Sequence, residues 1–384
     1  MKLVKMQVSG LPHFKENLEI DFFAQQRVQP ENNDGLYQLF SNIYVNNSIS
    51  FIGINASGKT TILRVIAFVI NLLNNKPINT IETKEILEDI NDEQTVTFTT
   101  FFYHSGLLNK LETVIKKAIN PIDENTRYII ESENLWSQNS AKIKTKKGMF
   151  DFQGIPAVKR NQDEEYLMDD VSIIIAFNKK HKSNVFLCDM SKWTNFNMLN
   201  LLGKFPKELL LFLDPSIEYL KCAVDEKDVD IRLKFKGKEE ILMNNPMVLD
   251  KYLSSGTIKG IGVFMNAFFA FEDGGYLIVD EVENHFNREI VSTLIRFFRD
   301  SKVNKNGAVI IFSTHYSELL DEFERNDNIF IVRNRKGISA ENLSNILKRN
   351  DIKKSEAYQS DFLEGTVPTY EAYIALKKVL INRN

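Results

Sequence analysis

Residues 53–60 have the composition and spacing of a loop that binds phosphate groups. They read Gly-Ile-Asn-Ala-Ser-Gly-Lys-Thr and match the pattern G-x-x-x-x-G-K-[ST] in full. The glycines let the backbone fold so closely that successive amide N–H groups point into one concavity, where they replace the water around a polyphosphate. We expect Lys59 to reach the β and γ phosphates and the Thr60 hydroxyl to bind Mg²⁺. The pattern therefore predicts a site for a nucleoside triphosphate with Mg²⁺.

The flanking segments supply the context that this loop requires. Ser48–Ile52 reads as a short buried strand, and residues 61–73 are apolar on all sides, as expected of a buried helix packed on a sheet. The alternative is an ordinary glycine-rich turn, and the order of strand, loop and helix argues against it. The residues predicted to contact the nucleotide here are Gly53, Asn55, Ala56, Ser57, Gly58, Lys59, Thr60 and Thr61.

A pair of carboxylates follows a second apolar segment, Tyr276–Val279. Asp280 is predicted to hold Mg²⁺ through its water shell, and Glu281 to polarise the attacking water beyond the γ phosphate. An acid after an apolar run is common at strand ends. We therefore assign a catalytic role to this pair only because the chain also contains the phosphate loop.

Two further motifs are candidates for contacts with the phosphates. Residues 253–257, Leu-Ser-Ser-Gly-Thr, precede an apolar helix predicted at 258–271, so they are either a plain helix cap or an anion site. Residues 310–315 read as a strand that ends in His315. A lone histidine at such a position is more often structural. After the other motifs, His315 is better interpreted as a sensor that hydrogen-bonds the γ phosphate and Glu281.

In this order the motifs resemble those of the ABC-type ATPases. Within that superfamily the chain is similar to the prokaryotic ATPases related to the SMC and RecF heads and to the ATPase domain of OLD nucleases. The resemblance covers the whole chain, with specific motifs near both ends and weak ones from about residue 75 to 245. Besides the motifs above, it rests on Leu18–Asp21, residues 280–286, residues 361–365 and residues 367–368.

The resemblance implies an α/β fold of the P-loop NTPase kind with ABC-ATPase head architecture. It implies a mixed sheet core flanked by helices, an antiparallel β subdomain and a helical signature subdomain. It also implies ATP and Mg²⁺ as cofactors and a homodimer that encloses two ATP molecules. The implied catalytic residues are Lys59, Glu281 and His315, the implied metal ligands are Thr60 and Asp280, and the residues implied to contact the partner's ATP are Ser254, Ser255 and Gly256.

For function, the resemblance implies an ATP-dependent dimeric switch in bacterial anti-phage defence, acting with a separately encoded effector such as a nuclease or toxin. One alternative is a DNA repair or recombination ATPase that clamps DNA in the manner of RecF. Another is a regulatory scaffold that barely hydrolyses nucleotide. Long coiled-coil heptads are missing, only 34 residues follow Asn350, and Ser255 replaces a glycine of transporter signatures. These departures argue against a chromosome tether, an attached Toprim nuclease and a transporter subunit. A Q-loop residue is not identifiable.

The chain is predicted to form a single head of four sections. These are the N-terminal strands and phosphate loop (1–75), a β-rich insert (76–190), a helical signature subdomain (191–270) and the catalytic strand, switch histidine and tail (271–384). Alternation predicts two opening strands joined by a turn and an antiparallel β region at 94–154. Further segments are predicted as helices at 199–224, 244–252 and 288–298, and as strands at Tyr276–Val279, 308–312 and 329–332. Strands and helices that alternate at this spacing indicate parallel βαβ units.

Composition limits the remaining function classes. Hydrophobic residues make up 43% of the 384-residue chain, and no segment approaches the roughly 18 apolar residues that cross a membrane. Two cysteines and an N-terminus without an export pattern lead us to expect a cytoplasmic protein. The net charge of the chain is −3, so binding of nucleic acid would require a local patch of basic residues. The lysine runs at 142–147 and 179–182 are more simply interpreted as solvated loops than as such patches.

Overall fold

The computed structural model describes residues 1–29, 33–119, 125–161, 167–192, 203–225, 228–284, 286–366 and 370–381. Within these ranges the strands are β1 (Lys2–Ser9), β2 (Leu18–Asp21), β3 (Leu36–Phe40), β4 (Ile43–Asn46), β5 (Ser48–Ile52), β6 (Thr95–His104), β7 (Leu107–Ile119), β8 (Thr126–Asn139), β9 (Val158–Lys159), β10 (Leu187–Asp189), β11 (Gly203–Lys204), β12 (Ile217–Asp225), β13 (Asp228–Phe235), β14 (Ile241–Met243), β15 (Tyr276–Val279), β16 (Val309–Thr314), β17 (Ile329–Asn334) and β18 (Ile338–Asn342). The α-helices are α1 (Lys59–Leu73), α2 (Ile174–His181), α3 (Lys207–Leu213), α4 (Ser255–Asp273), α5 (Arg288–Arg299), α6 (Leu343–Ile346), α7 (Lys354–Gln359) and α8 (Tyr370–Ile381).

The central sheet has the strand order β10-β15-β16-β5-β17-β18. All neighbouring pairs are parallel except β17 and β18. Every residue of β5, β15 and β16 is buried, because helices cover both faces of a parallel sheet. The predicted α/β class and the parallel units are confirmed. Strand β10 was not predicted, because a segment of three residues is too short to show the hydrophobic pattern of a strand.

An antiparallel sheet of order β2-β1-β6-β7-β8-β9 packs on the other side of α1. The two opening strands and the antiparallel region at 94–154 are therefore confirmed. Helix α1 buries apolar side chains all round, as predicted, because one core joins it to both sheets. Phe68 of α1, for example, lies 5.1 Å from Phe98 of β6 between ring centroids. This packing holds the helix that follows the predicted phosphate loop.

The helix predicted at 199–224 is wrong. Residues 199–202 lie outside the described ranges, and the rest forms β11, the short helix α3 and β12. Strand β12 pairs with β13 in a sheet of order β11-β12-β13-β14. Its buried residues Ile217, Leu220 and Cys222 face a core shared with α3 and α4, and a register shift after Ile217 hides the alternation. The section at 191–270 is therefore mixed rather than helical.

The remaining predicted helices and strands are mostly confirmed. The helix predicted at 244–252 is a 3-10 helix at Pro246–Lys251, where the Asn245 side chain accepts the N–H of Met247. The predicted helices at 258–271 and 288–298 are confirmed as α4 and α5, and the strands at 308–312 and 329–332 as β16 and β17. Among the described helices, none is long and apolar enough to span a membrane.

Candidate nucleotide-binding site

Three of the four predicted motifs meet at the carboxyl edge of the central sheet. The phosphate loop follows β5, the carboxylate pair follows β15, and His315 follows β16. Because these strands are parallel and adjacent, the residues after them converge. They open onto a cavity of about 790 Å³. Its lining consists of residues 55–61, Glu281, His315, Pro12, His13, Asn334 and residues 336–338.

Two glycines of the loop sit where a side chain would collide with the fold. A Cβ on Gly53 would lie 2.4 Å from the Val332 carbonyl oxygen. Gly58 has a φ of +99°, and a Cβ there would lie 2.6 Å from the Ile338 side chain. Ala56 is also left-handed, at a φ of 60°. The glycine spacing of the motif is therefore required by the close approach of β17 and β18.

Helix α1 presents its N-terminus to the cavity. Among the described residues, no side chain caps the helix, and its first turn contains no acid. Its first N–H groups have no partner within the helix, and the helix dipole makes this end positive. Thr60 and Thr61, in the first turn, line the cavity. The arrangement suits an anion such as a phosphate group.

Lys59 is buried beneath the loop. Its Nζ donates to the carbonyl oxygens of Gly53, at 2.9 Å, and Ile54, at 3.2 Å. The same nitrogen lies 3.4 Å from Nδ1 of His315. The ammonium is thus placed between the phosphate loop and the predicted switch histidine.

Burial lowers the pKa of Lys59, because desolvation disfavours the charged ammonium. The negative charges of Asp280, Glu281 and Glu283 act in the opposite direction and raise that pKa. The lysine therefore faces a cluster of carboxylates from the turn after β15.

The two predicted metal ligands are in direct contact. The Thr60 hydroxyl donates to one oxygen of Asp280 at 2.6 Å. The Ser313 hydroxyl donates to the other carboxylate oxygen of Asp280 and accepts the backbone N–H of Glu281 at 2.7 Å. A hydroxyl and a carboxylate are hard oxygen donors, and Mg²⁺ is commonly held by one or two such groups together with phosphates and water. The donor set fits Mg²⁺, and the described residues contain no group of three or more His, Cys, Asp or Glu that would hold a metal without phosphates.

Glu281 lines the cavity in an unusual backbone conformation. Its φ is 45°, which costs a non-glycine residue on the order of 1–3 kcal/mol and is typical of functional sites. One carboxylate oxygen accepts a hydrogen bond from the Asn284 side chain. The other lies 3.5 Å from Nε2 of His315. The carboxylate is thus oriented by two groups at the cavity wall.

The neighbours of His315 indicate its tautomer. Nδ1 faces the Lys59 ammonium, which can only donate, and Nε2 faces a carboxylate oxygen of Glu281, which can only accept. A neutral imidazole satisfies both neighbours when Nε2 carries the proton. The histidine therefore points a donor toward the space where Glu281 lines the cavity.

The serine motif lies elsewhere. Ser254 caps α4, and its hydroxyl accepts the N–H of Thr257 at 3.1 Å. Ser254 is exposed, and Ser255 and Gly256 are partly exposed. The three residues do not line the cavity beside the phosphate loop of their own chain. Within one chain they act as a helix cap.

Sequence reasoning assigned no role to several residues that build the site. Ser313 lies in the motif at 310–315 and Asn284 in the segment 280–286. Their closeness in the chain to His315 and Glu281 could have marked them as site residues. Glu283, two residues after Glu281, is buried and accepts the backbone N–H of His315 at 2.5 Å. Asn334 donates to the Ala56 carbonyl at 3.2 Å. It comes from β17, and no local pattern marks it.

Six of the seven lysines in the two lysine runs are exposed, and the seventh, Lys146, is partly buried. Lys146 donates to the backbone carbonyls of Gln25 and Gln26, at 3.1 and 3.0 Å, so it fastens a loop. Lys179, Lys180 and Lys182 are exposed at the C-terminal end of α2, where a positive charge complements the helix dipole.

Comparisons with known proteins provide no identity for the chain. No protein-family model matches it, and no curated protein matches its sequence. The geometry of the site and the motifs of the sequence are what remains to indicate function.

Proposed function

We propose that the protein is an ATPase that binds ATP with Mg²⁺ and hydrolyses it, with the architecture of an ABC-type head. The observation that carries the proposal is that Lys59, Thr60, Glu281 and His315 line one cavity, with Asp280 hydrogen-bonded to Thr60 beside it. These residues come from three separate parts of the chain. Their types are those that phosphoryl transfer to water requires.

The shape of the cavity supports a nucleotide rather than a free phosphate. The phosphates would lie at the N-terminus of α1, against residues 55–61. From there the cavity continues to Pro12 and His13 in the turn between β1 and β2, and to residues 336–338, where the turn after β17 enters β18. Its volume of about 790 Å³ falls in the range of small-molecule and cofactor sites. The nucleoside would occupy this second part.

In the proposed reaction each residue has a distinct task. Lys59 supplies positive charge to the phosphates, and bound Mg²⁺ would neutralise part of the charge that develops on them. Glu281 accepts a hydrogen bond from the attacking water and polarises it. His315 donates from Nε2 to Glu281 or to a phosphate oxygen, so it can report whether the γ phosphate is present.

We also propose that ATP joins two copies of the chain. The motif at 254–256 is at least partly exposed and does not line its own chain's cavity, and in the proposed dimer it would face the phosphate loop of a partner. ATP would then favour the dimer and hydrolysis would release it, as for any ligand that binds one state better. On the resemblance, we propose a role as a switch in bacterial anti-phage defence with a separately encoded effector.

The test compares wild-type protein with Lys59→Ala. The wild type should bind a fluorescent ATP analogue and release phosphate from ATP, whereas Lys59→Ala should do neither and keep its circular dichroism spectrum and unfolding temperature. Lys180→Ala, which removes an exposed lysine, is the matched control and should behave as wild type. Wild-type nucleotide affinity in Lys59→Ala would refute the site. Stimulation of turnover by duplex DNA would instead favour a DNA-clamping ATPase.

A further inference from the structure

Glu283 is a buried carboxylate at the same edge of the sheet as the site. It is 6% exposed, and one of its oxygens, Oε1, accepts the backbone N–H of His315 at 2.5 Å. The other oxygen, Oε2, is buried and has no hydrogen-bond partner among the described residues. Glu283 is not part of the cavity lining, unlike Glu281. The side chain thus touches the switch histidine but not the space for the nucleotide.

Burial of the Glu283 carboxylate in this position lowers the stability of the fold. A buried carboxylate loses its hydration, and an oxygen left without a donor is not compensated. The compensation that the described residues supply is the N–H of His315 and the nearby charge of Lys59. Both partners belong to the candidate site. The carboxylate therefore connects to the site and not to a separate structural network.

The position of the His315 ring depends on where its backbone is held. The ring lies between Lys59, 3.4 Å from Nδ1, and Glu281, 3.5 Å from Nε2. These distances are at the limit for a hydrogen bond, so a small displacement of the backbone would break both contacts. The next N–H, of Tyr316, is held by the Thr314 hydroxyl at 3.0 Å. Glu283 and Thr314 together determine the direction of the chain at the end of β16.

We propose that Glu283 is a positioning residue for hydrolysis, which holds the His315 imidazole between Lys59 and Glu281 by accepting the His315 N–H. The inference rests on the proposed ATPase function. It assigns Glu281 and Glu283 different tasks, although the two acids are separated by one residue. Glu281 acts on the water, and Glu283 acts only through His315.

The kinetic test uses Glu283→Ala, Glu283→Gln, His315→Ala and the double variant Glu283→Ala/His315→Ala. Glu283→Ala should lower kcat by roughly 10-fold or more and leave nucleotide affinity unchanged, because the effect is on geometry. Glu283→Gln should stay within about 3-fold of wild type, because the amide oxygen accepts the same N–H. The double variant should be no slower than His315→Ala, because Glu283 is proposed to act only through His315 and has no effect once the imidazole is gone.

Three results would overturn the inference. Glu283→Gln as slow as Glu281→Gln would make Glu283 a proton acceptor. If the fold-loss in kcat of the double variant equals the product of the two single losses, the two residues act independently. Unchanged kcat in Glu283→Ala would show that the contact has no effect. If Glu283→Ala fails to fold, Glu283→Asp, which draws the carboxylate back by one methylene, replaces it in the cycle with the same expectations.

A readout without turnover separates this inference from the ATPase proposal. The chain has five histidines, so the imidazole signals of His315 can be identified in NMR spectra as those missing in His315→Ala. Glu283→Ala should shift these signals, whereas Glu16→Ala, which changes an exposed acid, should not. Unchanged His315 signals would refute the positioning role. A wild-type protein that releases no phosphate would refute the ATPase proposal and leave this measurement valid.

Discussion

The Thr60 hydroxyl donates a 2.6 Å hydrogen bond to Asp280, although 220 positions separate the two residues. Thr60 lies in the first turn of α1 and Asp280 follows β15, and β16 lies between β15 and β5 in the sheet. Ser313 on β16 holds the second oxygen of Asp280. Three elements therefore position one carboxylate beside one hydroxyl.

Removal of Mg²⁺ should stop turnover, and Thr60→Val should raise the Mg²⁺ concentration needed for half-maximal rate. Valine keeps the shape of threonine but lacks the hydroxyl, so one oxygen ligand is lost. Phosphate release at fixed ATP, titrated with MgCl₂ after EDTA treatment, measures both effects. Thr80→Val, which changes an exposed threonine, is the control. Equal Mg²⁺ curves for Thr60→Val and wild type would remove Thr60 from the metal site.

Glu281→Gln should bind ATP but hydrolyse it at least ~100-fold more slowly, the usual scale for a lost general base. The amide keeps the contact with Asn284 possible but cannot take up a proton. Because ATP would not be consumed, the variant should accumulate an ATP-dependent dimer. Light scattering with and without ATP would detect it. Normal turnover without a change in mass would show that another acid activates the water.

Ser254→Arg should bind ATP almost normally as a monomer and yet fail to close the dimer or hydrolyse ATP. The reason is that the arginine would obstruct the partner's site and not its own cavity, which Ser254 does not line.

A mixture of Ser254→Arg with Lys59→Ala sharpens this test. One of the two composite sites would combine both defects, and the other would have neither. Partial recovery of phosphate release on mixing is the expected result. If mixing restores nothing, either both sites must act together or the serine motif does not serve the partner.

The isolated protein should leave DNA and RNA uncut. Metal-dependent nucleases need several acids or histidines around a second metal centre. The acids Asp280, Glu281 and Glu283 already belong to the ATP site proposed above, and within the described ranges no group of three or more His, Cys, Asp or Glu is placed to hold a metal ion. Incubation of plasmid and RNA with Mg²⁺ or Mn²⁺ tests this expectation. Cleavage that persists in Lys59→Ala would reveal a separate active site.

Patterns that are local in the chain could be read without the structure. The phosphate loop, the strand before it and the helix after it are contiguous, and the glycine spacing reflects backbone geometry within eight residues. The parallel strands β15 and β16 were likewise recognisable, because continuous apolar runs mark strands that are buried on both faces.

Sequence reasoning failed where pairing between strands decided the structure. The apolar run in α3, residues 207–213, suggested that a helix continued through the next segment. Strand β12 instead pairs with β13, and the shift in register after Ile217 disguises its period of two. Hydrogen bonds and burial that a segment gains from another strand outweigh its own helix preference.

The sequence by itself determined the residue types of the candidate site and their order along the chain. Only the tertiary structure decided which of them touch. The sheet order β15-β16-β5 places Lys59 beside His315 and Thr60 beside Asp280, while the turn after β15 places Glu283 beneath His315. Hydrogen bonding between strands that are distant in the chain fixes that order, and no spacing within the sequence encodes it.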